Sequence, residues 1–344
     1  MPLNIIRNDI TKVKADAIVN TANPLVQVGS GVDSAIYEAA GFDELLAERA
    51  KIGPMTPGQA AATGAFGLDA KYIIHTIGPV WEGGTHGEQE AVASCYRNSL
   101  EIADELGCQS IAFPLISTGT YEFPKDLALD IAMDEIKSFL EDHDMDVTLV
   151  VYDKESFVIS TQLYAGVKSF IRDNEVRKRM IRRGVHGSRI DTLSSYGIGS
   201  YDAGGFDDFS SPSTSASISW EPPESFEPFE DKDETFQQML FRIIDTQGLK
   251  DPDVYKKANI DRKLFSKIRS NVDYEPSKKT AIALAIALEL DLEETQDLLS
   301  RAGYTLSTSK PFDLIIRYCI VHGIYDIYQV NCILFDFTNQ VLCA

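Results

Sequence analysis

The chain has 344 residues, of which 44% are hydrophobic, and it carries five cysteines and a formal net charge of −20. That length exceeds the usual range of one domain and predicts two, each with enough apolar residues for its own core, plus a linker. No apolar run approaches the ~20 residues of a membrane-spanning helix, and Met1-Pro2-Leu3-Asn4 lacks a signal-peptide pattern, so a membrane, secreted or collagen-like protein is not expected.

Residues 1–172, with a charge balance of −13, alternate short β-branched runs with longer helical patterns. Strands are expected at Asn4–Arg7, Ala17–Asn20, Tyr72–Ile77, Ser110–Leu115 and Val147–Tyr152. Helices are expected at Val32–Ala40, Glu88–Leu106, Lys125–Leu140 and Glu155–Ile171. The alternation predicts an α/β fold, a three-layer α/β/α sandwich with a mixed, largely parallel sheet. Ligands of such sheets bind in loops beyond the carboxyl ends of the strands, and the loops Asn20–Asp33 and Leu115–Pro124 stand there. In the first, Gly29-Ser30-Gly31-Val32-Asp33 opens a helix, so glycine lets the backbone approach a phosphate and free N–H groups favour an anion. In the second, Ser117-Thr118-Gly119-Thr120-Tyr121 lies between a strand and the next helix, and two such loops can grip a diphosphate from opposite sides.

Residues 173–233 carry a balance of −5 and change character. The basic run Arg177-Lys178-Arg179-Met180-Ile181-Arg182-Arg183 reads as the solvated end of a helix or as a contact for nucleic acid or a partner. It leads into Ser, Gly, Asp and Pro without periodicity, the composition of a disordered linker. From residue 234 to 344 the pattern is helical, with stretches at Thr235–Thr246, Pro252–Ala258, Arg262–Arg269, Ser277–Glu289, Leu292–Ala302, Phe312–Val321 and Ile327–Phe335. The overall balance there is −2, but residues 256–279 hold eight Lys/Arg against three acids. The tail Phe312–Ala344, rich in Ile, Tyr, Cys and Phe, is expected to cover the helical core or to form a dimer surface.

Asn8-Asp9-Ile10-Thr11, Asp16-Ala-Ile-Val-Asn20-Thr-Ala-Asn23, Gly29-Ser-Gly-Val-Asp33, Tyr72-Ile-Ile-His-Thr-Ile-Gly-Pro79 and Pro114-Leu-Ile-Ser-Thr-Gly119 stand in macrodomain order. Residues 1–172 therefore resemble a macrodomain, an ADP-ribose-binding family whose MacroD-type branch removes ADP-ribose or acetyl groups from ADP-ribose esters. The resemblance implies that Asp9 accepts the adenine amino hydrogen while the Ile10 backbone fixes the ring, with Tyr152 packing beside it. It implies that Gly29, Ser30, Gly31 and Val32, with Ser117, Thr118, Gly119, Thr120 and Tyr121, cradle the diphosphate, and it includes Asn20 among the ligand-binding residues. Asn23 and Asp33 would stand at the distal ribose as the catalytic pair, a water between Asp33 and the α-phosphate attacking the ester linkage or the anomeric carbon. No metal and no cofactor enter that chemistry, and the partner is ADP-ribose or an ADP-ribosylated substrate. On the residues alone, Asn20 stitching a turn, Asp33 capping its helix and Tyr152 lying in the core remain open. The chain departs from the branch at Val28 and Ser30, where glycines are usual, at Tyr37, where His is usual, and at Glu122, which is expected to face solvent. The runner-up reading is a non-catalytic ADP-ribose sensor coupled to the helical region.

Elsewhere the chemistry is sparse. His75 reads as a satisfied core histidine, His86 and His143 have no ligand partners at metal spacing, and five scattered cysteines without a Cys-x-x-Cys pair fit reduced thiols and a cytoplasmic location. Residues 252–269 read as helix, turn, helix, with Ala258, Ile260, Leu264, Phe265 and Ile268 in packing positions and Asn259 at the turn, where Asn tolerates positive φ. This segment resembles Cro/CI-type DNA-binding domains over roughly residues 235–305. The resemblance implies that Arg262, Lys263, Ser266 and Lys267 project toward DNA. The alternative is a helical module that binds a protein partner or packs on the first domain.

Overall fold

Short apolar runs, continuous through the central strands that are buried on both faces, place six strands in one sheet. They are β1 (Leu3–Arg7), β2 (Ala17–Thr21), β3 (Ala60–Gly64), β4 (Tyr72–Thr76), β5 (Ser110–Pro114) and β6 (Asp146–Val151), in the order β1-β6-β5-β2-β4-β3. The computed structural model describes residues 3–152, 161–182 and 234–342. Every neighbouring pair is parallel except β3 with β4. Side chains two apart share a face. Ile18 of β2 and Ile73 of β4 therefore pack under α1 (Val32–Ala40) and α2 (Phe42–Ile52), with Ile36, Tyr37 and Leu45. Ala17, Val19 and Ile74 face the other layer, α3 (Glu88–Glu105) and α4 (Lys125–Asp142), with Val92, Tyr96 and Ala132. This is the expected α/β/α sandwich with a mixed, largely parallel sheet.

Two elements were not anticipated. β3 is made of Ala60, Ala61, Ala62, Thr63 and Gly64, of which only Thr63 favours a strand, and is held by its register with β4 from Ala60 opposite Thr76 to Gly64 opposite Tyr72. The second is α2, which buries only Leu45 and Arg49, too few apolar positions for a periodic signal. It follows α1 without a loop because Gly41, at φ 110°, ends one helix and starts the next.

A fifth helix, α5 (Thr161–Arg182), continues ten residues past the expected boundary at 172, so most of the basic run forms its last turns. Residues 153–160 and the remainder of the expected linker, 183–233, lie outside the described residues. Seven helices follow: α6 (Phe236–Gln247), α7 (Asp251–Lys257), α8 (Arg262–Ser270), α9 (Lys278–Ala287), α10 (Leu292–Arg301), α11 (Pro311–Val321) and α12 (Ile327–Thr338). Thr235, Asp261, Ser277, Asp291 and Asp326 cap helix starts through their side chains. In α9 every residue from Thr280 to Ala287 is buried, marking it as the centre of the helical core.

The helical region is packed on the sheet. Strand β1 is an edge, a position that invites uncontrolled pairing unless it is covered. Here α12 lies along it, with the Arg7 guanidinium 5.4 Å from the Phe335 ring centre. At the other end of β1, Asn259 Oδ1 accepts the Leu3 N–H at 2.7 Å and Asn259 Nδ2 donates to the Leu3 carbonyl at 2.9 Å. One side chain thus reproduces the pair of bonds a neighbouring strand would supply. Lys137 of α4 pairs with Asp326, and Phe170 of α5 meets Tyr318 of α11 edge-on. The tail covers the helical core, as expected, and the sheet edge as well. Among the described residues no helix is long and apolar enough to cross a membrane.

Candidate active site

At the carboxyl ends of β1, β2, β5 and β6 the chain leaves a cleft of about 720 Å³, within the size range of small-molecule sites. One end is framed by Asn8, Asp9, Ile10, Val151 and Tyr152, the middle by Ser30–Val32 and Ser117–Tyr121, and the far end by Asn23, Gly29, Asp33 and Gly78. Every residue expected at the ligand lines this cleft except Asn20, which is fully buried behind Asp33. Asn20 meets the cleft only through its hydrogen bond to Asp33.

The two loops are shaped by local backbone demands. Gly31 at φ 68° turns the chain into α1, and the Gly29 N–H donates to Asp33 Oδ2 at 2.6 Å. Ser117 adopts φ 63°, and its hydroxyl occupies space that only a glycine leaves at position 78, where a Cβ would lie 2.0 Å from it. The Trp81 N–H donates to the Tyr121 carbonyl at 2.9 Å, and Trp81 packs edge-on against Phe123, fixing the second loop from outside. Among the described residues the N–H groups of Ser30, Gly31, Thr118, Gly119 and Thr120 take no backbone hydrogen bond, and all five residues line the one cleft. Such donors suit an anion. Ser30 Oγ lies 3.1 Å from Thr120 Oγ1, joining the loops across the channel, a contact that glycine at position 30 could not make. Glu122 is exposed at the outer turn, as expected of an acid near an anion site.

Asp33 stands in the first turn of α1 and is 1% exposed. Asn20 Nδ2 donates to its Oδ1 at 2.6 Å, and burial raises its pKa against the hydrogen bonds and the Arg49 charge, which lower it. Arg49, from α2, is 1% exposed. It donates to the Gly53 carbonyl and keeps one buried terminal nitrogen without a partner among the described residues. A guanidinium there gives the buried carboxylate its countercharge. Tyr37, standing where the branch usually has His, is buried beside Asp33, and burial followed by the Asp33 charge raises its phenol pKa.

At the opposite end, Asp9 Oδ1 accepts from the Thr11 N–H at 3.0 Å and the Thr11 hydroxyl at 2.7 Å, and these bonds, the hydroxyl's foremost, lower its pKa. The carboxylate is thereby charged and aimed at the cleft rim. Tyr152 is 76% exposed there, which removes the reading of a core residue. Asn23 Oδ1 accepts the Leu25 N–H at 2.9 Å, leaving its amide hydrogens for the cleft. Arg49 and the partners of Asn20 were missed because their signal lies in tertiary contacts and not in any local motif.

The family model described as Macro domain matches residues 19–132. A macro domain-containing protein of Methanosarcina mazei is 48% identical over 156 residues, covering 45% of this chain and 83% of that protein. The O-acetyl-ADP-ribose deacetylase of Cronobacter turicensis is 43% identical over 166 residues, covering 47% and 94% respectively. Among solved structures, the Oceanobacillus iheyensis macrodomain with ADP is 38% identical, covers 45% of this chain and 85% of its own, and aligns with a TM-score of 0.42.

Proposed function

We propose, from the premise that this chain belongs to the macro domain family, that its cleft binds ADP-ribose and that the protein hydrolyses ADP-ribose esters. Mono-ADP-ribosylated Asp/Glu and O-acetyl-ADP-ribose are the substrate classes. The observation that carries the reading is a buried, hydrogen-bonded carboxylate, Asp33, at the end of a channel lined by two sets of unused backbone donors. Adenine stacks toward Tyr152 with its amino group on Asp9, and the diphosphate lies between Ser30–Val32 and Ser117–Tyr121. The distal ribose then reaches Asn23 and Asp33. The Asp33 carboxylate accepts from Asn20 Nδ2 and from the Gly29 and Asn23 N–H groups, and keeps lone-pair capacity for a water. That water, held also by a phosphate oxygen, loses its proton to Asp33 as it attacks the ester carbonyl carbon or the anomeric carbon. Attack at the carbonyl carbon breaks the acyl C–O bond, so that the ribose oxygen leaves and takes up that proton. Attack at the anomeric carbon breaks its C–O bond, with the carboxylate as leaving group. Relatives named O-acetyl-ADP-ribose deacetylase at about 43% identity support the reaction class.

The test incubates the full chain with a carboxylate-linked mono-ADP-ribosylated protein and, separately, with O-acetyl-ADP-ribose, recording release and ADP-ribose binding together. Release from either substrate at a rate above that of buffer is expected. Binding without release from both leaves a sensor of ADP-ribose in place of a hydrolase.

A second reading, for the helical region, is a Cro/CI-type motif formed by α7 and α8. It is favoured by the exposure of Arg262, Lys263, Ser266 and Lys267 on a helix that contains no acid. Against it, Asn259 at the turn is spent on Leu3, and Asp251 at the start of α7 pairs with Arg269. Duplex DNA titrated at about 50 mM salt should bind with an affinity that falls steeply as salt rises. Arg262→Ala with Lys263→Ala should flatten the logarithmic salt slope by roughly two. Binding unchanged by that pair removes α8 from the interface.

A further inference from the structure

A row of polar side chains crosses the sheet beneath the candidate base, on the face that packs under α1 and α2. Asn20 on β2 and His75 on β4 are register partners, and Thr63 on β3 pairs with Ile73, two residues before His75, so all three share that face. Asn20 Nδ2 lies 2.6 Å from Asp33 Oδ1 and 3.2 Å from His75 Nδ1, and His75 Nε2 lies 3.0 Å from Thr63 Oγ1. Thr63 Oγ1 in turn lies 3.2 Å from the Gly64 carbonyl.

Counting hydrogens leaves one assignment. An amide nitrogen only donates, and both Asn20 hydrogens have an acceptor if His75 Nδ1 is bare. The imidazole hydrogen then sits on Nε2 and is donated to Thr63, whose own hydrogen goes to the Gly64 carbonyl. The ring is neutral, because burial, helped by the Arg49 charge, pushes its pKa down to about 3. Reversing the Asn20 amide would set Oδ1 against an ionised carboxylate oxygen and leave the amide hydrogens without an acceptor. A bare Nδ1 on His75 opposes that reversal.

We propose that His75 is a positioning residue for Asp33, acting through Asn20: its neutral ring holds the Asn20 amide in the one orientation that donates to the carboxylate. Resting on the reading of Asp33 as the base, it turns a residue that looks like inert core into the back wall of the site. The other charged and titratable groups facing Asp33 are Arg49 from α2 and Tyr37 from α1, and neither contacts Asn20 or His75 through a hydrogen bond among the described residues. They set the background against which His75 acts.

The deciding experiment is a carbon-13 and nitrogen-15 NMR titration of the full chain, following the Asp33 carboxyl and the His75 ring nitrogens in wild type, His75→Phe and His75→Gln. The wild-type ring is expected as the neutral Nε2–H form from about pH 5 to about pH 8. His75→Phe removes the acceptor and should raise the Asp33 midpoint by about one pH unit, because the donor that favoured the ionised form is no longer held. Gln can accept from Asn20 through Oε1 and donate to Thr63 through Nε2, so His75→Gln should restore most of the shift. A wild-type ring protonated on Nδ1, or an unmoved Asp33 midpoint in folded His75→Phe, overturns the proposal. Should His75→Phe not fold, the wild-type tautomer decides alone. In the hydrolysis assay, kcat of His75→Phe should fall about tenfold with KM little changed, and His75→Gln should recover it. Absence of wild-type turnover sinks the hydrolase reading, and the titration still judges His75.

Discussion

Asp33→Ala lowers ADP-ribose release by at least about a hundredfold while leaving ADP-ribose affinity within about threefold. A positioned general base is worth about 10²- to 10⁴-fold, and here it is the group that would take the proton from water. The diphosphate, by contrast, is gripped by the N–H groups of two loops whose backbone depends on Asp33 only through its bonds to Gly29 and Asn23. Alanine is the informative replacement. Asn would turn an –NH2 toward either the Gly29 N–H or the Asn20 amide, and both neighbours are donors. Parallel isothermal titration and release assays separate the two effects. Equal losses of affinity and release would assign Asp33 to binding.

The pH dependence carries a sign that can be checked. The native pKa of Asp33 is raised above the ordinary aspartate value of 3.8, with burial as the main cause. A carboxyl of that kind favours the fold in its neutral form. Its contribution is complete below the ordinary value and is lost as pH rises through the higher native value. The base works only when ionised, so across that window turnover rises while this component of stability falls. The melting temperature of wild type relative to that of Asp33→Ala should be highest at low pH and fall as pH rises through the same window.

Asn259→Ala destabilises the chain by about 3 kcal/mol, from two unpaired backbone groups and a strained turn. The residue is 2% exposed and adopts φ 52°, and its amide satisfies both the N–H and the carbonyl of Leu3. Asn259→Gly keeps the turn free of strain and loses only the bonds, so it should recover about 1 kcal/mol of the loss. Urea denaturation gives the totals, and amide exchange at Leu3 localises them. Wild-type stability in both variants would mean that the bracket on β1 contributes nothing.

The loops of the cleft were legible because their signals are local. Gly29 to Asp33 lies within one turn of a helix start, and Ser117 to Tyr121 within one strand-to-helix connection. The positive φ of Asn259 was readable from its place in the turn, but its partner stands 256 residues away. His75 was read as a satisfied core histidine, and it is buried and satisfied. Only the register of β2 with β4 reveals that one of its partners holds Asp33. Arg49, in a helix rich in charge, gives no sign in sequence that it is drawn under the site. Strand β3 was hidden because alanine carries little strand preference and pairing alone defines it.

Strand β1 begins at the Asn259 bracket and ends one residue short of Asn8 and Asp9 at the cleft rim. The start of α8 and the cleft therefore stand at opposite poles of the sheet, separated by the roughly 16 Å of a five-residue strand. A polymer lying on α8 and a nucleotide lying in the cleft would sit at opposite ends of that strand. Mutual influence could pass along β1, with a pull at its first residue felt at its last, or through the packing of Lys137 on Asp326 and of Phe170 on Tyr318. Crosstalk measured between the two ends would therefore report strain shared between β1 and the helices packed beside it.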